Sequence, residues 1–114
     1  MQLNQALIAL GATLLPTLAL GAGTSGSGTI QSLEVDSYDQ IVVITGATNW
    51  SNPDGCSSSN FVILQTSNSM YKDTLATILS TATAGKSISF WLSGCVASPW
   101  GGTAPVILDT IVSF

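Results

Sequence analysis

The sequence predicts a mainly β domain carrying a single helix, with its elements ordered β-β-β-α-β-β. Three observations carry that prediction. Apolar residues recur at helical spacing in one stretch of the domain, about Ser69 to Ala84. Three strand-like runs precede this stretch and two follow it. Polar segments rich in Gly, Ser, Thr, Asn and Pro join the runs.

Thr29 to Val35 reads as the first strand, with Leu33 and Val35 alternating against Ser32 and Glu34. Asp36-Ser37-Tyr38-Asp39 is a turn, where Asp side chains favour local hydrogen bonds. Gln40 to Thr45 is a continuous β-branched run, suited to a strand with little exposure. A polar loop from Gly46 to Asn60 leads to the third strand, Phe61 to Thr66. Ser67, Asn68 and Ser69 offer side-chain oxygens to the first turn of the helix, and Asp73 suits its dipole. Tyr71, Leu75, Ile78, Leu79 and Ala82 share one helical face, which should be buried. Gly85 supplies a left-handed stop, and Lys86 lies beside the carbonyl end. Ser87 to Leu92 alternates cleanly, placing Ile88, Phe90 and Leu92 on one face and Trp91 on the other. A second polar loop, Ser93 to Pro105, precedes the last strand, Val106 to Ser113.

Five strands with a helix between the third and fourth is the order of the OB-fold, a five-stranded Greek-key barrel. A β-sandwich is the alternative, against which the central helix counts. In the OB arrangement the fourth strand runs antiparallel to the first. The loop after the second strand and the end of the fourth strand then share one end of the barrel. That places Cys56 near Cys95.

The start of the chain reads differently. Ala6 to Leu20 is almost wholly apolar, and at its end Ala19-Leu20-Gly21 fits a small-x-small cleavage pattern. We therefore divide the chain into a signal peptide (1–21), a Gly/Ser linker (22–28) and an OB-fold-like domain (29–114). The usual positive n-region is absent, so a short N-terminal anchor is the competing reading. An exported chain suits one Cys56–Cys95 disulfide, with two buried thiols as the alternative. Closing a loop of about 40 residues stabilises a fold by ~4 kcal/mol in the chain-entropy model. The expected location is secreted, extracellular or periplasmic, with no membrane span in the mature form.

Charge narrows the function. The chain has two Lys, no Arg, no His and six acids, for a formal net charge of −4. Nucleic-acid binding needs a cationic surface to displace counterions, and none is present. Without histidine there is no ordinary general base, triad or typical zinc site, so no catalytic residue, metal ligand or cofactor is assigned. Gly21-Ala22-Gly23-Thr24-Ser25-Gly26 matches G-x-G-x-x-G but lacks the preceding strand and following helix that hold a pyrophosphate. Ser69-Met70-Tyr71-Lys72 matches S-x-x-K without its companion motifs. Asp36 and Asp39, with Glu34 just before them, read as acids of a turn, and carboxylate acid-base chemistry (with Asp109 a further candidate) or calcium binding is the alternative.

The candidate binding residues lie in the two polar loops. Trp50 and Trp100 each offer a flat apolar face for a sugar ring, and Asn49 and Ser98 stand beside them as hydrogen-bonding groups. If the disulfide draws the loops together, both rings line one site; otherwise each packs as a lid on the small core. Asn49-Trp50-Ser51 is also an N-glycosylation sequon.

Tyr71-x3-Leu75-x3-Leu79-x2-Ala82-x2-Gly85-Lys86, followed by Ser87-Ile88-Ser89-Phe90, resembles the secreted OB-fold B subunits of bacterial toxins, particularly the subtilase-cytotoxin and pertussis-like group. The similarity runs from Thr29 to Phe114, and it departs at the opening, where the family's Tyr-Ser segment is missing. The resemblance implies a glycan-binding, ring-forming homo-oligomer, and the missing histidine adds the expectation that it is not an enzyme. It does not carry the family's glycan site across. The alternative is a secreted inhibitor or protein-interaction domain that presents disulfide-stapled loops to a cell-surface or secreted protein.

Overall fold

The runs Ile41-Val42-Val43-Ile44 and Phe61-Val62-Ile63-Leu64 are apolar at successive positions, and the fold buries them on both sides. They form the centre of β3 (Ile41–Gly46) and β4 (Phe61–Gln65) in the computed structural model, which describes residues 21–113. The remaining elements are β1 (Gly23–Thr24), β2 (Gly28–Asp36), α1 (Tyr71–Thr83), β5 (Ser87–Ala97) and β6 (Thr103–Ile111). The expected signal peptide, apart from Gly21, lies outside the described residues.

The strands are ordered β1-β5-β2-β3-β4-β6, and β5 also pairs with β6. The five longer strands thus form a closed circuit, β2-β3-β4-β6-β5. Within it, β4 and β6 are parallel and the other pairs antiparallel. Even-numbered residues Val42, Ile44, Val62 and Leu64 pack with Ile78, Ile88, Phe90, Leu92, Ile107 and Trp50. Odd-numbered Ile41, Val43 and Ile63 pack with Ala104, Phe61 and Val96 on the opposite face of the β3–β4 pair. Full burial of each such side chain contributes about 1.5–3 kcal/mol.

Among the described residues the architecture is mainly β with one helix, but it has six strands where the sequence predicts five. The extra strand comes from the expected linker. Gly23 and Thr24 pair with Leu92 and Trp91, and the next residue, Ser25, is buried. Ser25 N–H donates to the Phe90 carbonyl at 2.8 Å, and Phe90 N–H donates to Ser25 Oγ at 2.8 Å. Small polar residues carry no apolar period, so hydrogen bonding to an existing edge, rather than burial, makes this strand.

The second polar loop also shrinks. β5 runs on to Ala97 and β6 begins at Thr103, leaving only Ser98 to Gly102 as a turn. Register shifts between Trp91 and Leu92 and between Leu92 and Cys95 bend the hairpin and obscure its period. Cys95 therefore lies in a strand. It is bonded to Cys56, with Cα atoms 5.6 Å apart.

The helix starts at Tyr71, two residues later than its polar cap residues suggest, and Met70 occupies the N-cap without a side-chain cap. Asn68 accounts for the shift. Its Oδ1 accepts from Met70 N–H at 2.8 Å while its Nδ2 donates to the Ile107 and Leu108 carbonyls at 3.3 Å. The C-terminus follows expectation: Gly85 (φ +68°) and Lys86 donate N–H to the Ala82 and Thr81 carbonyls, a Schellman closure. The buried face is rotated from the expected one. Thr74, Ile78 and Thr81 are buried, Leu75 is half-buried, and Leu79 is exposed. Thr81 tolerates burial because its hydroxyl donates to the Thr77 carbonyl at 2.7 Å.

Candidate functional site

Trp50 belongs to the core rather than to a binding surface. Its N–H donates to the Ser59 carbonyl at 3.0 Å, and the Ser51 N–H donates to the Ser25 carbonyl at 2.8 Å. These bonds turn the indole inward, where it meets Phe90 edge-on with centroids 5.2 Å apart. Gly28 and Gly46 make room for it: a Cβ on Gly46 would lie 2.6 Å from Trp50 Cζ2. With 4 % exposure, Trp50 offers no face to a sugar, and its Nε1 has no partner among the described residues. Asn49 and Ser51 stay exposed on either side of it.

Trp100 is 59 % exposed. It sits in the Ser98–Gly102 turn, which Gly101 (φ +96°) and Gly102 (φ +71°) allow to close. Ser98 is a structural part of this turn and does not reach outward. Its Oγ accepts from Trp100 N–H at 3.1 Å, and its own N–H donates to the Gly102 carbonyl. The Trp100 ring meets Phe61 edge-on at 5.1 Å. Phe61 packs with Ile41, Val43 and Ile63, whereas Trp50 packs with Val42, Ile44, Val62 and Leu64. The two tryptophans are thus on opposite faces of the β3–β4 pair and do not line one site.

The disulfide joins the loop after β3 to β5, and polar contacts reinforce it. Asp54 accepts from Gly94 N–H at 2.6 Å and from Gly21 N–H at 2.7 Å through its two oxygens. Ser57 N–H donates to Thr103 Oγ1, and Thr103 N–H to Ser57 Oγ. A disulfide of this kind is compatible with an extracellular or periplasmic location.

A groove that the loop residues did not indicate lies between α1 and the β5–β6 hairpin. It encloses about 530 Å³, and its lining includes Met70, Asp73, Thr77, Trp91, Asp109 and Ile111. Trp91 is 38 % exposed and is flanked across the strands by Thr24 of β1 and Asp109 of β6. Its outward position was readable from the alternation of Ile88, Phe90 and Leu92. The helix residues opposite were not, because nothing local shows which strand an exposed helix turn will face.

Asp36 and Asp39 serve the β2–β3 turn. Asp36 Oδ1 accepts from the N–H groups of Tyr38 and Asp39 at 3.0 and 3.1 Å. Desolvation, then the neighbouring Asp36 charge, holds the Asp39 carboxyl above its ordinary range. Among the described residues no group of three or more His, Cys, Asp or Glu is placed to hold a metal, and no helix is long and apolar enough to cross a membrane.

No protein-family model matches the chain, and no curated protein or solved structure matches it either.

Proposed function

We propose that this chain is a secreted, non-enzymatic binding module of OB type whose ligand is carbohydrate, held in the groove between α1 and the β5–β6 hairpin. The strand circuit supports the OB reading: the parallel β4–β6 pair and the antiparallel β2–β5 pair are those that close such a barrel. The observation that carries the ligand reading is Trp91. It presents a half-open indole in a concave site whose other polar groups are two carboxylates and threonine hydroxyls. A sugar ring needs that combination: an apolar wall for its C–H face and acceptors for its hydroxyl protons. Two acceptor-only carboxylates and an absence of basic residues in the groove favour a neutral sugar over an acidic one.

The resemblance to toxin B subunits adds a ring-forming homo-oligomer, in which weak identical sites gain strength through avidity. A glycan array followed by calorimetry tests the ligand. Trp91→Ala should weaken binding by about tenfold or more while leaving the melting temperature nearly unchanged. No binding on the array, or equal affinity for Trp91→Ala, sinks the reading. Light scattering on the purified protein tests the ring.

A second reading is favoured by Trp100, which projects from a turn braced by Phe61 and next to the disulfide. Such a rigid aromatic suits a secreted inhibitor or protein-interaction domain. Capture of a protein partner that survives glycan removal and is lost in Trp100→Ala would support this reading over the first.

A further inference from the structure

The long strand β2 has one side that the fold leaves open. It pairs with β3 from Ile30 to Asp36, but with β5 only at Gly28 and Thr29. Among the described residues, Gln31 to Asp36 therefore has no strand on its second side, and no turn or loop backbone bond reaches it. Successive residues of a strand direct their N–H and C=O groups alternately to the two sides. About half of these groups in Gln31–Asp36 consequently face away from β3, along a segment that is largely exposed.

Exposed edges are blunted by charged side chains, especially lysine, by proline or by a β-bulge. Gln31–Asp36 contains no Lys or Pro, and the one irregularity, between Ile30 and Ser32, lies at its start, leaving a regular ladder with β3 from Ser32 to Asp36. Its chemistry is acidic instead: the hairpin from Gly28 to Gly46 holds Glu34, Asp36 and Asp39 and has no Lys or Arg. The two faces of the strand differ. Leu33 and Val35 share one, with Leu33 packed on the core and Val35 64 % exposed beyond it. Ser32, Glu34 and Asp36 share the other. A chain laid along this edge would set its side chains alternately beside the aliphatic pair and beside the acids.

We propose that the open edge of β2 accepts, by strand addition, an extended segment of a partner protein in which basic and apolar residues alternate. Charge complementarity selects this occupant over a second copy of the chain. Antiparallel pairing of β2 with itself would bring Glu34 and Asp36 toward the same acids of the twin, and like charges directly opposite are destabilising. A basic strand reverses the sign of those contacts, while main-chain hydrogen bonds supply the affinity. No β2 residue lines the Trp91 groove, so the proposal stands apart from the carbohydrate reading.

The probe is a short capped peptide alternating lysine with valine or threonine, titrated against the whole protein and followed by amide hydrogen exchange and calorimetry. Protection should appear across Gln31–Asp36. Replacing the peptide's lysines with glutamates should abolish binding, and a central proline at unchanged charge should do the same. Glu34→Lys should weaken the basic peptide roughly fivefold and improve the acidic one, with the melting temperature preserved as proof of folding. Equal binding of the proline-containing peptide would reduce the effect to loose charge attraction and overturn strand addition. So would protection elsewhere, indifference to Glu34→Lys, or protection of Gln31–Asp36 already present in the peptide-free protein.

Discussion

Gly46 ends β3 with the Trp50 indole laid across it, so a single methyl group there has nowhere to go. The Cβ of Gly46→Ala would stand 2.6 Å from Trp50 Cζ2 and 2.9 Å from the Thr48 carbonyl oxygen. The indole does not move freely, since the ring is wedged against Phe90 and the Trp50 backbone N–H is tied to Ser59. Gly46→Ala should destabilise the fold by about 1–3 kcal/mol in chemical denaturation, with an unchanged m-value. A loss under a few tenths would mean that the indole is not so confined. At Asp39 the effect is one of pH. Its carboxyl is held above the ordinary value by desolvation and by Asp36, so the ionised form is disfavoured by folding. That cost is present above the raised folded pKa and is relieved as pH falls through it. Asp39→Asn should therefore melt higher than the parent at neutral pH, and the gap should close on acidification. A gap that widens toward acid would contradict the sign.

Among the elements, β3 and β4 were the most readable from residues alone, because burial on both faces leaves an unbroken apolar run, β-branched throughout in β3. The C-terminal end of α1 was equally clear, and its geometry makes a specific prediction. Gly85 sits at φ +68° with the Schellman bonds closing on Thr81 and Ala82. Gly85→Ala places a Cβ in open space but in a strained backbone, and should cost about 1 kcal/mol. The melting temperature reads this directly, and an unchanged value would show that the turn relaxes elsewhere. The start of the helix was less readable, since Asn68 is drawn to the β6 carbonyls and is not spent on an ordinary cap. β1 could not be read at all. Gly23 and Thr24 are held by an edge that exists only once β5 has folded.

At the scale of the whole molecule, the pairing of Cys56 with Cys95, the two cysteines of the chain, agrees with the strand order, whereas the separation of Trp50 from Trp100 was not legible in it. Strand order shows which ends of the strands meet. It does not show that the β5–β6 hairpin bends so that Val96 and Ala104 cover the outer face of β3–β4 and carry Trp100 with them. The disulfide joins the loop after β3 to that bent hairpin, with Asp54, Ser57 and Thr103 beside it. A loop closed over 39 residues removes enough unfolded-state freedom to be worth ~4 kcal/mol. For a domain of this size that is a large part of the total stability. The paired Cys56→Ser and Cys95→Ser variant should therefore melt about 20 °C lower while keeping its native circular dichroism at low temperature. The polar contacts make a second, smaller expectation. Asp54→Asn leaves one of the two backbone N–H groups without an acceptor and the other with a neutral one, and should cost about 1–2 kcal/mol. Its cost should be larger in the cysteine-free variant, where Asp54 alone would tie Gly94 to the loop. If the cysteine-free protein melts within a few degrees of the parent, the hairpin is held by Val96 and Ala104 packing instead, and the staple is incidental to the fold.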